Sequence, residues 1–347
     1  FLQREMLEVR GDLLCSLALG GFAPAFQTLV QHERYGEVPG VLDSACEALH
    51  RSASRNLPLH VAAMLGSPRF TQADARNSRN NTTALHHCAN EVVLKTLLEC
   101  PQLTTGEVLN ARDTFGCTCL HYANTEKMCR LILAQPNFSS VNLQDGFGQT
   151  ALHCAKNAGV VEAILAQPDF DSANAVDSLG RTPLHMLVRK EATASVLLER
   201  SGSQLDPNRV DSRGCTVLHF AASAKVCELL FASGFTELNV VDKSGRSALH
   251  TARSAEVARA ILRRPDFTAL NAESSDPLES GTALVMAAFR PDNNAIVAEL
   301  LQVDGHFEES LQLALGSQAL DASNRRRLEL LLAQKTSGAK SWSCGVL

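Results

Sequence analysis

Asp177-Ser178-Leu179-Gly180-Arg181-Thr182-Pro183-Leu184-His185 decides the fold, because the chain writes the same phrase repeatedly. The frame returns at Asp145 to His153, Asp211 to His219 and Asp242 to His250, the last with Ser247 for Thr. Its shorter core, a residue followed by Leu-His, ends at His60, His86, His121, His153, His185, His219 and His250. From His86 onward the histidines are 35, 32, 32, 34 and 31 residues apart, after a first step of 26. So regular an interval marks stacked supersecondary units and not a single globular core.

Each unit carries its own punctuation. Gly148, Gly180, Gly214 and Gly245 stand where a tight turn demands a positive φ, which glycine adopts without steric cost. Thr150, Thr182, Thr216 and Ser247 precede a short apolar run, where a hydroxyl can accept an orphan amide at a helix start. Leu152, Ala155, Val161, Ile164 and Leu165 then fall at helical spacing, which predicts stripes that pack on neighbouring units. Pro136, Pro168 and Pro265 close the second helix, each with a phenylalanine two residues on (Phe138, Phe170, Phe267) to cover its end. Asn110, Asn142, Asn174, Asn208, Asn239 and Asn271 lead back to the next turn, and asparagine suits turns by bonding nearby backbone.

Over residues 56–303 this pattern resembles the ankyrin repeat, a β-turn followed by T-P-L-H-x-A and two antiparallel helices. The resemblance implies an all-α fold, an α-solenoid of about eight helix-turn-helix units whose first and last are irregular. It also implies that the motif histidines tie one turn to the next by hydrogen bonds. The chain departs from the family in lacking Gly-His between the two helices, and His153 lies only 11 residues before Ile164 and His219 only 10 before Leu229. The sequence reading therefore predicts a tightened inter-helix loop. After His60 a second helix is not expected, and near the far end Thr282 to Val285 keeps the motif without its histidine. Residues 1–55 read as a degenerate helical cap, 304–334 as a C-terminal helical cap and 335–347 as a flexible tail.

Composition sets limits. With 347 residues, 45% of them hydrophobic, and a net charge of -5, the chain has ample core material and no basic signature for nucleic acid. No run reaches the ~18 apolar residues of a membrane span, and the start lacks a secretory apolar region. Eleven cysteines, several at ordinary repeat positions, read as small buried hydrophobes in a reducing compartment. Cys117-Thr118-Cys119-Leu120-His121 lacks a partner pair at zinc spacing, so no metal site and no cofactor is expected. Histidines that recur in every unit are structural, whereas a catalytic one needs a unique pocket. With no nucleotide-binding, metalloprotease or nucleophile-elbow motif either, the chain reads as no enzyme. The Arg10-Gly11-Asp12 tripeptide is read as chance.

What remains is a binding surface. The resemblance implies contacts at the turn tips and on the first-helix face. Carried onto this chain, these are Phe115, Phe147, Gln149, Leu179, Arg181, Arg189, Arg213, Lys243, Arg246 and Arg253, apolar first and basic later. The expected partner is another protein with an apolar anchor toward Phe115 and an acidic flank toward Arg246, bound by a monomeric scaffold or adaptor. The alternative is that the phenylalanines fold back on neighbouring turns and the arginines are merely solvated. Two further readings stay open. Phe1 is not an initiator Met, so the chain reads as a fragment, and it could be the recruiting or regulatory arm of a larger enzyme. The last four residues, Cys344 to Leu347, match a prenylation signal with basic residues upstream, Arg325 to Arg327 among them. The chain is then expected in the cytoplasm or nucleus, at a membrane only if Cys344 is lipidated.

Overall fold

A computed structural model describes residues 41–67, 72–200, 202–276, 280–303, 308–317 and 320–341. Packing divides the chain into two compact units, one ending at Asp177 and the other beginning at Ser178. The first holds helices α1 (Val41–Ser54), α2 (Pro58–Leu65), α3 (Glu91–Leu98), α4 (Gly106–Leu109), α5 (Glu126–Leu133) and α6 (Ala158–Leu165). The second holds α7 (Pro183–Leu187), α8 (Glu191–Arg200), α9 (Ala224–Ala232), α10 (Ala255–Leu262), α11 (Ala283–Ala288), α12 (Asn294–Leu300), α13 (Glu308–Leu315) and α14 (Ala322–Ser341). A two-stranded antiparallel pair, β1 (Glu273–Ser274) and β2 (Gly281–Thr282), is the only named sheet among the described residues. Each unit is thus a stack of helical repeats, an α-solenoid architecture.

The short distance after each motif histidine is absorbed where the sequence reading did not place it. The loop is not what shrinks; the first helix is. At Ala84–His87, Cys119–Tyr122 and Val217–Phe220 that helix is a single 3-10 turn, while the second helix keeps eight or nine residues. The cause is a cap four residues past the histidine. Asn90, Thr125, Asn157, Ser223 and Ser254 each accept an amide from the next turn of chain, Thr125 Oγ1 from Met128 N at 3.2 Å. A side chain that starts the second helix there ends the first.

Second helices then pack side by side, α3 on α5 and α5 on α6 in the first unit, α8 on α9 and α9 on α10 in the second. The apolar stripes read from the sequence form this core, with Leu152, Val161 and Ile164 fully buried. The asparagines do more than shape turns. Asn142 donates to Asp169 O at 2.7 Å and accepts from Asp171 N and Ser172 Oγ, and Asn110 and Asn239 make the same reach of 27 to 30 residues. One amide, with two donors and an accepting oxygen, therefore clips the loop of the following repeat.

The ends are irregular. After α2 no second helix appears among the described residues before Ala84. Val285 stands in place of the histidine, and its unit is held to the one before it by a salt bridge in addition to the His250 bond to Gly281 O: Arg259 of α10 grips Glu299 of α12 with Nε to Oε2 at 2.9 Å and Nη2 to Oε1 at 2.5 Å. Glu299 is buried and its carboxyl is held below the ordinary range, chiefly by that bond to Arg259. Arg259 is half-exposed, so solvent weakens the pair, and Arg259→Ala is expected to lower the urea unfolding midpoint. No measurable loss would show that α12 is held by packing alone. Helix α14 runs to Ser341, past the 334 boundary at which the sequence reading began a tail. Of the cap expected over residues 1–55, residues 1–40 lie outside the described residues.

Candidate functional site

The turn tips are built on buried aspartates. Asp145 Oδ1 accepts the amides of Phe147 and Gln149, both at 2.8 Å, and Asp113, Asp211 and Asp242 hold their turns identically. The chain reverses through glycine, at φ 70° in Gly180 and 80° in Gly214. A Cβ on Gly180 would lie 2.9 Å from Ser212 N, because that amide donates to Leu179 O at 2.8 Å. Tip backbones are therefore committed to the neighbouring tip, and tip side chains are turned outward.

Behind each tip the histidine closes a capping box with its threonine: Thr118 N–H donates to His121 Nδ1 at 3.1 Å, and the Thr118 hydroxyl lies 3.0 Å from the same nitrogen. A nitrogen that accepts an amide carries no proton, so the proton sits on Nε2. That proton goes to the next repeat. His121 Nε2 donates to Gln149 O at 3.1 Å, His86 to Cys117 O, His185 to Cys215 O, His219 to Arg246 O and His250 to Gly281 O. Both ring nitrogens of these five are spent on holding repeats together. Burial, the largest cause, pushes His86, His121, His219 and His250 below the ordinary imidazole range.

Phe115 and Phe147 are each 57% exposed, so they do not fold back. Gln149 is half-buried, its Oε1 3.6 Å from Cys154 Sγ. These three belong to the first unit. In the second, Leu179, Arg189, Arg213, Lys243 and Arg253 are exposed and Arg181 half-buried. Arg246 is half-buried, and its guanidinium lies 2.8 Å from the buried Asp242 carboxylate, so its charge is partly matched within the fold. Burial alone would raise the Asp242 pKa, yet the Arg246 amide and guanidinium and the Ser244 amide override it and hold it low.

The cationic centre of the second unit is instead Arg189. Its guanidinium lies 4.7 Å over the Phe220 ring, which meets His185 edge-on at 6.2 Å. Its pKa is lowered, first by burial and then by Arg253, Arg181 and Arg213. Arg253, Arg181 and Arg213 thus stand near enough to Arg189 to repel it, Arg213 itself lying 3.9 Å from the buried Asp211 carboxylate. Sequence reading found the arginines but missed Phe220; a cation 31 residues away from an aromatic gives no local signal. It also missed Val210 and Val241, exposed beside the tips of the same unit.

Residues 124–208 match the family model described as ankyrin repeats, in three copies. That stretch carries ankyrin repeats. Among solved structures it is similar to the ankyrin repeat domain of Bcl-3, titled a unique member of the IkappaB protein family, at 23% identity and a TM-score of 0.44, covering 62% of this chain and 97% of that one. No curated protein matches the sequence. Ankyrin repeats are in general protein-binding modules, and the tips and first-turn face described above are the surfaces such a stack leaves open.

Chemistry elsewhere in the ankyrin stack is quiet. Among the described residues no group of three or more His, Cys, Asp or Glu is placed to hold a metal ion. Burial, the largest cause, pushes the Cys119, Cys129 and Cys227 thiols up to about 12 and Cys215 to about 11. In the native protein at pH 7.4 Cys119, Cys129 and Cys227 should react with iodoacetamide roughly a thousandfold, and Cys215 roughly a hundredfold, more slowly than after unfolding, read by peptide mass spectrometry; fast native labelling of any of them would refute their burial. No described helix is long and apolar enough to cross a membrane. Cys344 lies outside the described residues. Of the basic run beside it, Arg325 donates to Leu315 O and Ser317 O, capping α13, so it is committed to the fold.

Proposed function

We propose that the chain is a non-enzymatic protein-binding scaffold whose second unit receives an acidic stretch of another protein on Arg181, Arg189, Arg213 and Arg253. The observation that carries this reading is Arg189, stacked on Phe220, its pKa lowered first by burial and then by three neighbouring arginines. Holding like charges together costs free energy, and a bound row of carboxylates relieves it while steering association. Arginine on an aromatic face is also pre-organised for carboxylates and is a frequent interface anchor. The exposed Phe115 and Phe147 tips offer the first unit a separate apolar contact. In this reading the chain acts inside the cell as a monomer, without a cofactor.

Capture from native lysate with the parent and with Arg189→Glu/Arg253→Glu tests the reading. Both positions are exposed, so the variant should fold. Proteins lost from the variant should contain acidic segments which, as synthetic peptides, bind the parent at least tenfold more tightly than the variant and weaken as salt rises. Identical captured sets would refute the arginine site.

A further inference from the structure

The arginine cluster does not stand alone on the second unit. Between the end of α11 and the side of α13 opens a cleft of about 530 Å³ lined by Val285, Met286, Phe289, Leu313, Gly281 and Arg290. Its floor, Val285 and Met286, is buried, whereas Phe289 and Leu313 are 56% and 54% exposed. Single exposed apolar residues are ordinary. Two large ones flanking a cleft with an apolar floor have the form of a seat for a side chain, within the size range of ligand pockets. Gly281, at φ 105°, puts no side chain into it.

Repeat register fixes where this cleft lies relative to the arginines. Val285 occupies the motif-histidine position of its unit, so Met286 stands where Phe220 stands two repeats earlier, and Phe289 where Arg189 stands three repeats earlier. The first-turn face of the second unit therefore reads Arg189, Phe220, Arg253, then Met286 and Phe289. One repeat step is about 8–10 Å, which about three residues of an extended segment span. Arg290 carries the positive character on to the rim of the cleft.

We infer that this cleft seats a bulky apolar side chain of a partner protein whose acidic residues lie along the same segment, about three positions away on Arg253 and about eight to nine away on Arg189. The inference rests on the acidic-partner reading above and adds the anchor. It also places that anchor beyond the cations in repeat order, whereas the sequence reading placed it before them at Phe115. Charge complementarity selects the occupant: the apolar seat is continuous with a cationic row, so an apolar segment without carboxylates would leave that row unmatched, and an acidic segment without an anchor would leave Phe289 and Leu313 in water.

The test is selection of a displayed library of random 12-residue peptides on the full chain, followed by affinity measurement of the enriched peptides on the parent, on Phe289→Ser/Leu313→Ser and on Arg189→Glu/Arg253→Glu. Both substituted pairs are exposed, and circular dichroism checks that the fold is kept. The expected result is enrichment of peptides with Asp or Glu within about three residues of Trp, Phe or Leu, each variant weakening them at least tenfold. Acidic peptides that lose affinity on the arginine variant but not on Phe289→Ser/Leu313→Ser would overturn the cleft and leave the acidic-partner reading standing. Apolar peptides indifferent to Arg189→Glu/Arg253→Glu would overturn both. Absence of enrichment, or self-association of the chain that Phe289→Ser/Leu313→Ser abolishes, would also overturn the inference, the latter in favour of a second copy as the occupant.

Discussion

Acidification from pH 7 to pH 4 is expected to cost the folded chain more than about 3 kcal/mol, most of it before carboxylates begin to titrate. Burial, then the charge of His87, lowers His50 from 6.5 to about 4, and its ring lies 5.3 Å from that of His87. Burial likewise lowers His86, His87, His121, His219 and His250. The sign follows from proton counting. Above about pH 6.5 the folded and unfolded forms are both neutral at these rings, and stability is full. As the pH falls below 6.5 the unfolded chain binds protons that the folded chain refuses, so stability falls until the lowered folded pKa is reached. At ~1.4 kcal/mol per pKa unit, His50 alone contributes about 3 kcal/mol by pH 4. The five other rings add to this in the same direction. Urea unfolding at intervals between pH 7.5 and 4 measures it; a midpoint that stays flat from pH 6.5 to 5 would refute the protonation argument.

His219→Phe is the substitution expected to do most harm at a single position. The ring size is kept, but two bonds vanish: Thr216 N–H loses Nδ1, at 3.1 Å, and Arg246 O loses Nε2, at 3.0 Å. Thr216 is buried, so its amide cannot turn to water. Each stranded group costs about 1–3 kcal/mol, for a total of about 2–6 kcal/mol. Cap loss by Ser254→Ala, which removes one bond at a helix start, should cost only about 1 kcal/mol. Because repeat stability is largely a sum of neighbour terms, hydrogen exchange should quicken first around residues 215–250. Equal costs for the two variants would mean that the histidine does not act as an inter-repeat tie.

Periodicity made most of the fold legible. The turn glycines, the threonine–histidine pairs and the leucine stripes each repeat in phase, and a repeat is a local rule that a linear sequence can state many times. The shortening of the first helix was legible in principle, since Asn90, Thr125, Asn157, Ser223 and Ser254 all stand four residues past a histidine. The cue was weak because such residues also populate ordinary loops. The asparagine clips were visible as a repeat, but their reach to the following unit was not.

By itself the sequence determined that this chain stacks near-identical helical units, which residues turn it, and which residues stand at the tips. Those outcomes follow from backbone sterics and from apolar spacing, both of which act within a few residues. Tertiary structure alone decided which of the exposed groups can act. It paired Arg246 with Asp242 and left it half-buried, set Arg189 on Phe220 near three other arginines, and opened the cleft between Met286 and Leu313. Charge partnership and concavity depend on distances between residues far apart in the chain, and no pattern of letters carries a distance.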